Sequence, residues 1–278
     1  MKQTLNCNGK LFVLDEPVVM GILNVTPDSF YDGGKFHSQS EVLAQVEKMI
    51  AEGASIIDVG GQSTRPKAEM ISEAEELQRV IPVIEIIHKN FPDAIISIDT
   101  FRSQVVQKAV AAGASIVNDI SGGMLDHEMF ATVGALNVPY ILMHIQGTPE
   151  TMQQNPVYEN VVREVREYFL HKIPLLRAAG VKDIILDVGF GFGKNTEHNF
   201  SLLKHLNDFR IFDLPILVGV SRKSMINRVL KTTPDQALNG TTVLNSIALL
   251  NGANLLRVHD VKEARQAIQL FKQYNAAV

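Results

Sequence analysis

The sequence predicts a (β/α)8 TIM barrel with a short N-terminal β-hairpin. Three observations predict it. Eight short, nearly continuous apolar runs recur along the 278 residues, as strands buried on both faces of a parallel sheet require. Helical patterns separate the runs, and the joints share a Gly-containing signature. Most runs end in Asp, Asn, Arg or His, so polar groups come from most strand ends, as at the C-terminal face of a barrel of about 250 residues. A doubly wound sheet is the alternative, but it gathers its functional groups at one crevice.

The elements follow in order. Residues 5–12 alternate around Asn8-Gly9, a hairpin signal, and are expected to plug the N-terminal mouth of the barrel. The strand runs are residues 18–25, 55–61, 95–100, 115–120, 140–144, 184–189, 216–220 and 255–260. Residues 41–52 read as an amphipathic helix, with Val42, Ala44, Val46, Met49 and Ile50 apolar. Residues 72–90 form another, opened by the capping signal Ser72-Glu73-Ala74-Glu75. The joints carry Gly53, Gly113, Gly180 and Gly252, each placed to end a helix in the left-handed conformation just before a strand. No linker or low-complexity run interrupts the pattern, so residues 1–278 are expected to form one domain.

Composition narrows the function classes. A net charge of −4 gives no general attraction for nucleic acid or an anionic membrane. No apolar stretch is long enough to span a bilayer, and the N-terminus lacks a signal-peptide pattern. Cys7 is the single cysteine and cannot form an internal disulfide. A cytoplasmic protein is expected.

Two sets of residues point to chemistry. Arg65, Arg222, Lys223, Arg257 and His259 are cations at strand ends of an acidic chain, and on a barrel they would converge on one face to attract a phosphate-bearing ligand. Asp99, Asn118 and Asp187 each end an apolar strand and would be enclosed, where polar groups need partners. Two carboxylates and an amide in an apolar cup suit a flat heterocycle rich in N–H donors, such as a 2-aminopyrimidinone. Helix capping is the plainer alternative for each, and Asp119 is the structural member of its pair with Asn118. Thr64-Arg65-Pro66 lies on a loop beyond Asp58-Val59-Gly60-Gly61-Gln62-Ser63, where hydroxyls and an Arg could close over a leaving group; a merely solvated loop is the other reading. His144 ends the fifth strand, either as a site residue or as barrel filling. No HExxH or CxxC spacing marks a structural metal site.

Gly189-Phe190-Gly191-Phe192-Gly193-Lys194 resembles a phosphate loop only superficially. Val188 stands where the first Gly of a P-loop belongs, and Asn195 replaces its Ser or Thr. The segment reads instead as a Gly-rich turn, with Phe190 or Phe192 available to pack on a planar substrate.

Eight segments together resemble, in order, the motifs of the dihydropteroate synthases: MGILNVTPDSFYDGG (20–34), DVGGQSTRP (58–66), SIDTFR (97–102), VNDISGG (117–123), LMHIQGTP (142–149), ILDVGFGFGK (185–194), VGVSRKS (218–224) and RVHDV (257–261). The resemblance covers nearly the whole chain. It implies a folate-pathway transferase that joins 4-aminobenzoate to 6-hydroxymethyl-7,8-dihydropterin diphosphate, giving 7,8-dihydropteroate and diphosphate. It further implies that Asp99, Asn118, Asp187 and Lys223 meet the pterin, and that Asn24, Arg257 and His259 meet the diphosphate, with Asn24 also meeting Mg2+. Thr64, Arg65, Pro66 and Ser221 fall near aminobenzoate or the leaving group; Phe192 stays a candidate from the Gly-rich turn. Asp99, Lys223, Arg257 and His259 are the residues implied closest to the chemistry. Phe30 and Pro66 are positions where the family meets sulfonamides. Relatives form homodimers, and the apolar helix candidate 241–250 could serve such an interface. Gln62 stands where many relatives have Glu, and Lys67 where many have Gly. A methyltransferase barrel would share the pterin pocket but needs no diphosphate site, so the set Asn24, Arg65, Arg257 and His259 speaks against it. A barrel that binds its ligand without turnover would lack one of these residues, and none is missing.

Overall fold

In the computed structural model the eight apolar runs pair in parallel and close on themselves. The structure describes residues 3–25, 31–32, 35–36, 39–62, 70–148, 152 and 156–277. The chain opens with β1 (Gln3–Cys7) and β2 (Lys10–Leu14), followed by β3 (Val18–Asn24), the two-residue strands β4 (Tyr31–Asp32) and β5 (Lys35–Phe36), α1 (Gln39–Ala51) and β6 (Ala54–Gly60). Then come α2 (Glu73–Asn90), β7 (Ile95–Asp99), α3 (Ser103–Ala112), β8 (Ile116–Asp119), α4 (Met129–Leu136), β9 (Tyr140–Met143), α5 (Val161–Ala178) and β10 (Ile184–Asp187). The chain finishes with α6 (Thr196–Lys204), β11 (Ile216–Val218), α7 (Ser224–Leu230), α8 (Leu238–Leu250), β12 (Leu255–Val258) and α9 (Val261–Ala276). The barrel runs β3, β6, β7, β8, β9, β10, β11, β12, and β12 returns to β3 with Leu255 opposite Val18 and Arg257 opposite Met20. This is the predicted TIM barrel, with every strand beside its neighbours in sequence.

Strand and helix bounds fall close to the periodicity. The helix expected over 41–52 spans Gln39–Ala51 and buries Val42, Val46 and Met49, an i, i+4, i+7 stripe. Ser72 caps α2, its hydroxyl accepting from the Glu75 amide at 3.2 Å. Gly53, Gly113, Gly180 and Gly252 all have positive φ, between 92° and 121°, so each helix-to-strand joint uses a conformation that costs a side chain energy.

The hairpin turns at Asn8 and Gly9, both at positive φ, as a tight two-residue hairpin turn requires. It packs Leu5, Cys7 and Leu14 onto Val18, Met20, Ile56, Ile95, Ile116, Ile141, Ile185, Leu217 and Leu255, a layer contributed by all eight barrel strands. The N-terminal mouth is therefore plugged, as expected. Burial pushes the Cys7 thiol up to about 12, which leaves it inert. A second, larger apolar layer joins the outward faces of the strands to the helices. Among the described residues, no helix is long and apolar enough to cross a membrane.

Candidate active site

Side chains alternate along a strand, so the residues two positions above the apolar floor share its inward direction. Those positions are Asp58, Ser97, Asn118, Asp187 and Arg257, and Asp99 stands one step higher on β7. The floor forces the ligand-accessible space to the C-terminal end.

Charge is concentrated there. Arg257 donates through Nε to Asp58 Oδ2 at 2.6 Å and through a terminal nitrogen to Asp99 Oδ2 at 2.6 Å. Asn118 Nδ2 donates to the same Asp58 oxygen at 3.1 Å. Asp58 is fully buried, and its other carboxylate oxygen has no hydrogen-bond partner among the described residues; neither has the Ser97 hydroxyl beside it on β7. Burial pulls the Arg257 guanidinium down, but Asp58 and Asp99 outweigh it and hold it above its usual range. Burial pushes the Asp99 carboxyl up to about 7 against the pull of Arg257. Burial also raises the Asp187 carboxyl, opposed first by Lys223.

The Gly-rich turn forms the facing wall. Gly189 N donates to Asp187 Oδ1 at 2.8 Å, Gly191 N to Asn199 Oδ1 at 2.7 Å, and Tyr158 to the Gly193 carbonyl at 2.8 Å. Lys223 donates to the Phe190 carbonyl and holds its ammonium 4.6 Å from the centre of the Phe192 ring. Burial lowers the Lys223 amine to about 8, with Asp187 opposing. Of the two candidate aromatic rings, Phe190 is fully buried in the core, so only Phe192 is open to a ligand. Phe192 packs on Phe101, Ile120, Met143, Ile145 and Met152.

The structure brings Asp99, Asn118, Asp187, Lys223, Phe192 and Arg257 to one end of the barrel. Ser221 and His259 meet beside them, with Ser221 Oγ 3.0 Å from His259 Nδ1 and accepting from the His259 amide at 3.2 Å. Asn24 is half-buried at the last position of β3. Thr64, Arg65 and Pro66 lie outside the described residues, as do Phe30 and Lys67 and most of the stretches 26–36 and 62–71. Arg222 does not join the cluster. It adopts a left-handed backbone, φ 56°, and forms a two-pronged pair with Asp260 at 2.6 and 3.0 Å. Asp119 is structural as expected, accepting from Ser121 N, Gly123 N and the Tyr140 hydroxyl.

Sequence reasoning gives no role to Asp58, Lys194 or Gln62, and leaves His144 between site residue and barrel filling. Asp58 carries no assignment from the sequence, although its place two residues above Ile56 gives its inward direction. Lys194 and His144 form a buried contact whose partners are 50 residues apart. Gln62 stands out in the sequence only as a departure from many relatives. It is buried, and its side-chain oxygen accepts from Ile71 N at 2.9 Å, tying together the two ends of the loop that carries Thr64, Arg65 and Pro66.

The sequence model of the pterin binding enzyme family matches residues 20–259. The chain is 46% identical over 268 residues to the dihydropteroate synthase of Escherichia coli strain K12, covering 96% of this chain and 94% of that one. The fold superposes on the Xanthomonas albilineans dihydropteroate synthase solved with 4-aminobenzoic acid at a TM-score of 0.93, with 38% identity and full coverage of both chains. It superposes equally on the Yersinia pestis dihydropteroate synthase in a sulfonamide drug complex, with a TM-score of 0.92, 41% identity and full coverage of both. Motifs, barrel and matched relatives agree over nearly the whole chain, which belongs to the dihydropteroate synthase family of pterin-binding enzymes.

Proposed function

We propose that the chain condenses 6-hydroxymethyl-7,8-dihydropterin diphosphate with 4-aminobenzoate, releasing diphosphate and forming 7,8-dihydropteroate. The observation that carries this is the enclosed polar layer at the C-terminal end of the barrel, where Asp58, Asp99, Asn118 and Asp187 surround Arg257 and Lys223. Buried acceptors and donors in that mixture suit the amidine-like edge of a pterin, which presents adjacent N–H groups and ring nitrogens. Asp187 and Asn118 are the proposed partners of that edge, and the Phe192 ring, with the Lys223 ammonium against it, is proposed to wall the pocket beside the pterin. Asp99 and Arg257 stand where the ring ends and the diphosphate begins, with His259 and Ser221 beyond. Thr64, Arg65 and Pro66 are proposed to meet aminobenzoate or the leaving group.

The arylamine nitrogen attacks the exocyclic methylene carbon. A C–N bond forms, the C–O bond to diphosphate breaks with its electron pair leaving on oxygen, and the amine proton passes to water or to the departing diphosphate. The electron-rich dihydropterin supports positive character at that carbon, and fixed cations meet the charge that develops on the leaving oxygen. The arylamine is a weak base and needs no strong general base. Mg2+ fits the donor chemistry. It keeps several waters and phosphate oxygens and takes one or two oxygens from a protein, and Asn24 offers one amide oxygen at a strand end; a bound ion would offset diphosphate charge.

We further propose one domain, a cytoplasmic location and a homodimer. The unpaired Cys7 agrees with a reducing compartment. For the dimer, Val243, Ile247 and Leu250 on α8 lie exposed, as do Val229 and Leu230 on the adjoining α7. Sedimentation of wild type and of a Val243→Glu, Ile247→Glu variant tests it, the variant being expected to sediment as a monomer. The reaction is tested by a coupled assay for released diphosphate. Release that depends on 4-aminobenzoate is expected; no release, or release indifferent to 4-aminobenzoate, overturns the assignment.

A further inference from the structure

The Gly-rich turn is gripped by two lysines, and the reaction proposed above uses only Lys223. Lys194 is just 2% exposed. Its ammonium lies 2.9 Å from the Phe192 carbonyl oxygen, 3.0 Å from His144 Nδ1 and 3.3 Å from the His144 carbonyl oxygen. An ammonium can donate to all three, with His144 Nδ1 in its unprotonated tautomer, and a neutral amine can still donate to the two carbonyls. All three acceptors are neutral, since burial first and Lys194 second push His144 down to about 2. The charged groups that face Lys194 are Asp187, which favours the ammonium, and Lys223, which opposes it, with His198 nearby. A buried cation is expensive, and a methionine would fill the same volume without that cost.

Backbone contact explains why a donor sits there. Gly189 has φ 72°, and a Cβ on it would lie 1.9 Å from the His144 carbonyl oxygen; one on Gly193 would lie 2.5 Å from the Gln146 carbonyl oxygen. The loops after β9 and β10 therefore touch main chain to main chain, and Lys194 spans the seam. Tyr168 holds the His144 ring edge-on, with centroids 4.9 Å apart. At its far end the same turn carries Phe192, whose ring faces the Lys223 ammonium.

We propose that Lys194 is a positioning residue for the pterin. By pinning the Phe192 carbonyl to His144, it fixes the Phe192 ring without touching substrate. This rests on the reading of the site given above. The test is calorimetry with 6-hydroxymethyl-7,8-dihydropterin lacking the diphosphate, on wild type and on the variants Lys194→Met, His144→Leu and His144→Asn. Asn keeps an acceptor where Nδ1 stands; Leu does not. Lys194→Met and His144→Leu should each weaken the pterin about tenfold, with the KM for 4-aminobenzoate unchanged, and His144→Asn should recover most of the loss. Should Lys194→Met not fold, the contrast between His144→Leu and His144→Asn carries the test. Unchanged pterin affinity overturns the proposal. So does an equal loss for both substrates alongside a lower Tm, or a His144→Asn variant no better than His144→Leu. A wild-type protein that binds no pterin overturns the reading of the site, and the proposal with it; normal wild-type binding beside unaffected variants overturns the proposal alone.

Discussion

At the N-terminal end of the barrel the inward positions are Met20, Ile56, Ile95, Ile116, Ile141, Ile185, Leu217 and Leu255. Two residues further along five of the same strands they are Asp58, Ser97, Asn118, Asp187 and Arg257. One layer is a dry, close-packed floor with no polar atom to satisfy. The other holds buried carboxylates around a cation, and two of its oxygens lack partners among the described residues. The floor gains stability from burying apolar area. The upper layer costs desolvation, which its ion pairs only partly offset. The strands thus keep stability and ligand recognition apart by one repeat of the pleat.

That division can be broken from either side. The largest effect is expected for Arg257→Ala, which strands Asp58 and Asp99. Loss of the shared cation should lower unfolding free energy by about 3–5 kcal/mol, read by denaturant titration, and should weaken bare pterin as well as its diphosphate. A stable variant that loses only the diphosphate ester would show that Arg257 serves the leaving group and not the layer. Ile185→Ala in the floor should cost about 2–5 kcal/mol of stability while leaving the KM of both substrates unchanged at temperatures well below Tm. A shifted KM there would mean that the two layers are coupled. Asp187→Asn should weaken bare pterin by about 1–3 kcal/mol and alter Tm little, because the amide still offers Gly189 an acceptor. Calorimetry decides, and unchanged affinity removes Asp187 from the pocket.

The smallest effect, counted per pH unit, concerns pH. Burial lowers the Lys194 amine from 10.5 to about 7. Below pH 7 folded and unfolded chains both hold the proton, and the cost of the buried charge is full. Between pH 7 and 10.5 only the unfolded chain holds it, so stability contributed at this position rises with pH. The stability of wild type relative to Lys194→Met should therefore climb by about 1 kcal/mol per pH unit across that window. A flat difference would show that Lys194 keeps its proton throughout.

The floor was easier to read in the sequence than the layer above it. Continuous apolar runs, the Asn8-Gly9 turn, the four joint glycines and the Ser72 cap are local signals, and each fell where the structure has the corresponding element. Candidate members of the site were legible too, as polar residues ending apolar strands. Their pairings were not. Arg257 meets Asp58 across 199 positions, and Arg222 turns away to Asp260; no spacing encodes either contact. Phe190 and Phe192 look equivalent in sequence, and only the bend of the turn sends one into the core. Lys194 was legible only as the end of a failed phosphate motif, because its acceptors arrive from β9.

The contact between Arg257 and Asp58 also fixes when the site can come into being. Asp58 and Asp99 are synthesised early, and their counter-ion is carried by the last strand of the barrel. Until β12 docks between β11 and β3, the two carboxylates have no guanidinium and have every reason to stay in water. Joining ends so distant in sequence carries a loop-closure cost that must be met before the contact rewards it. Ligand recognition in this chain is therefore a late event in its biogenesis, completed by ring closure, and a ribosome-bound nascent chain that ends short of β12 lacks both the last member of the floor and the cation of the site.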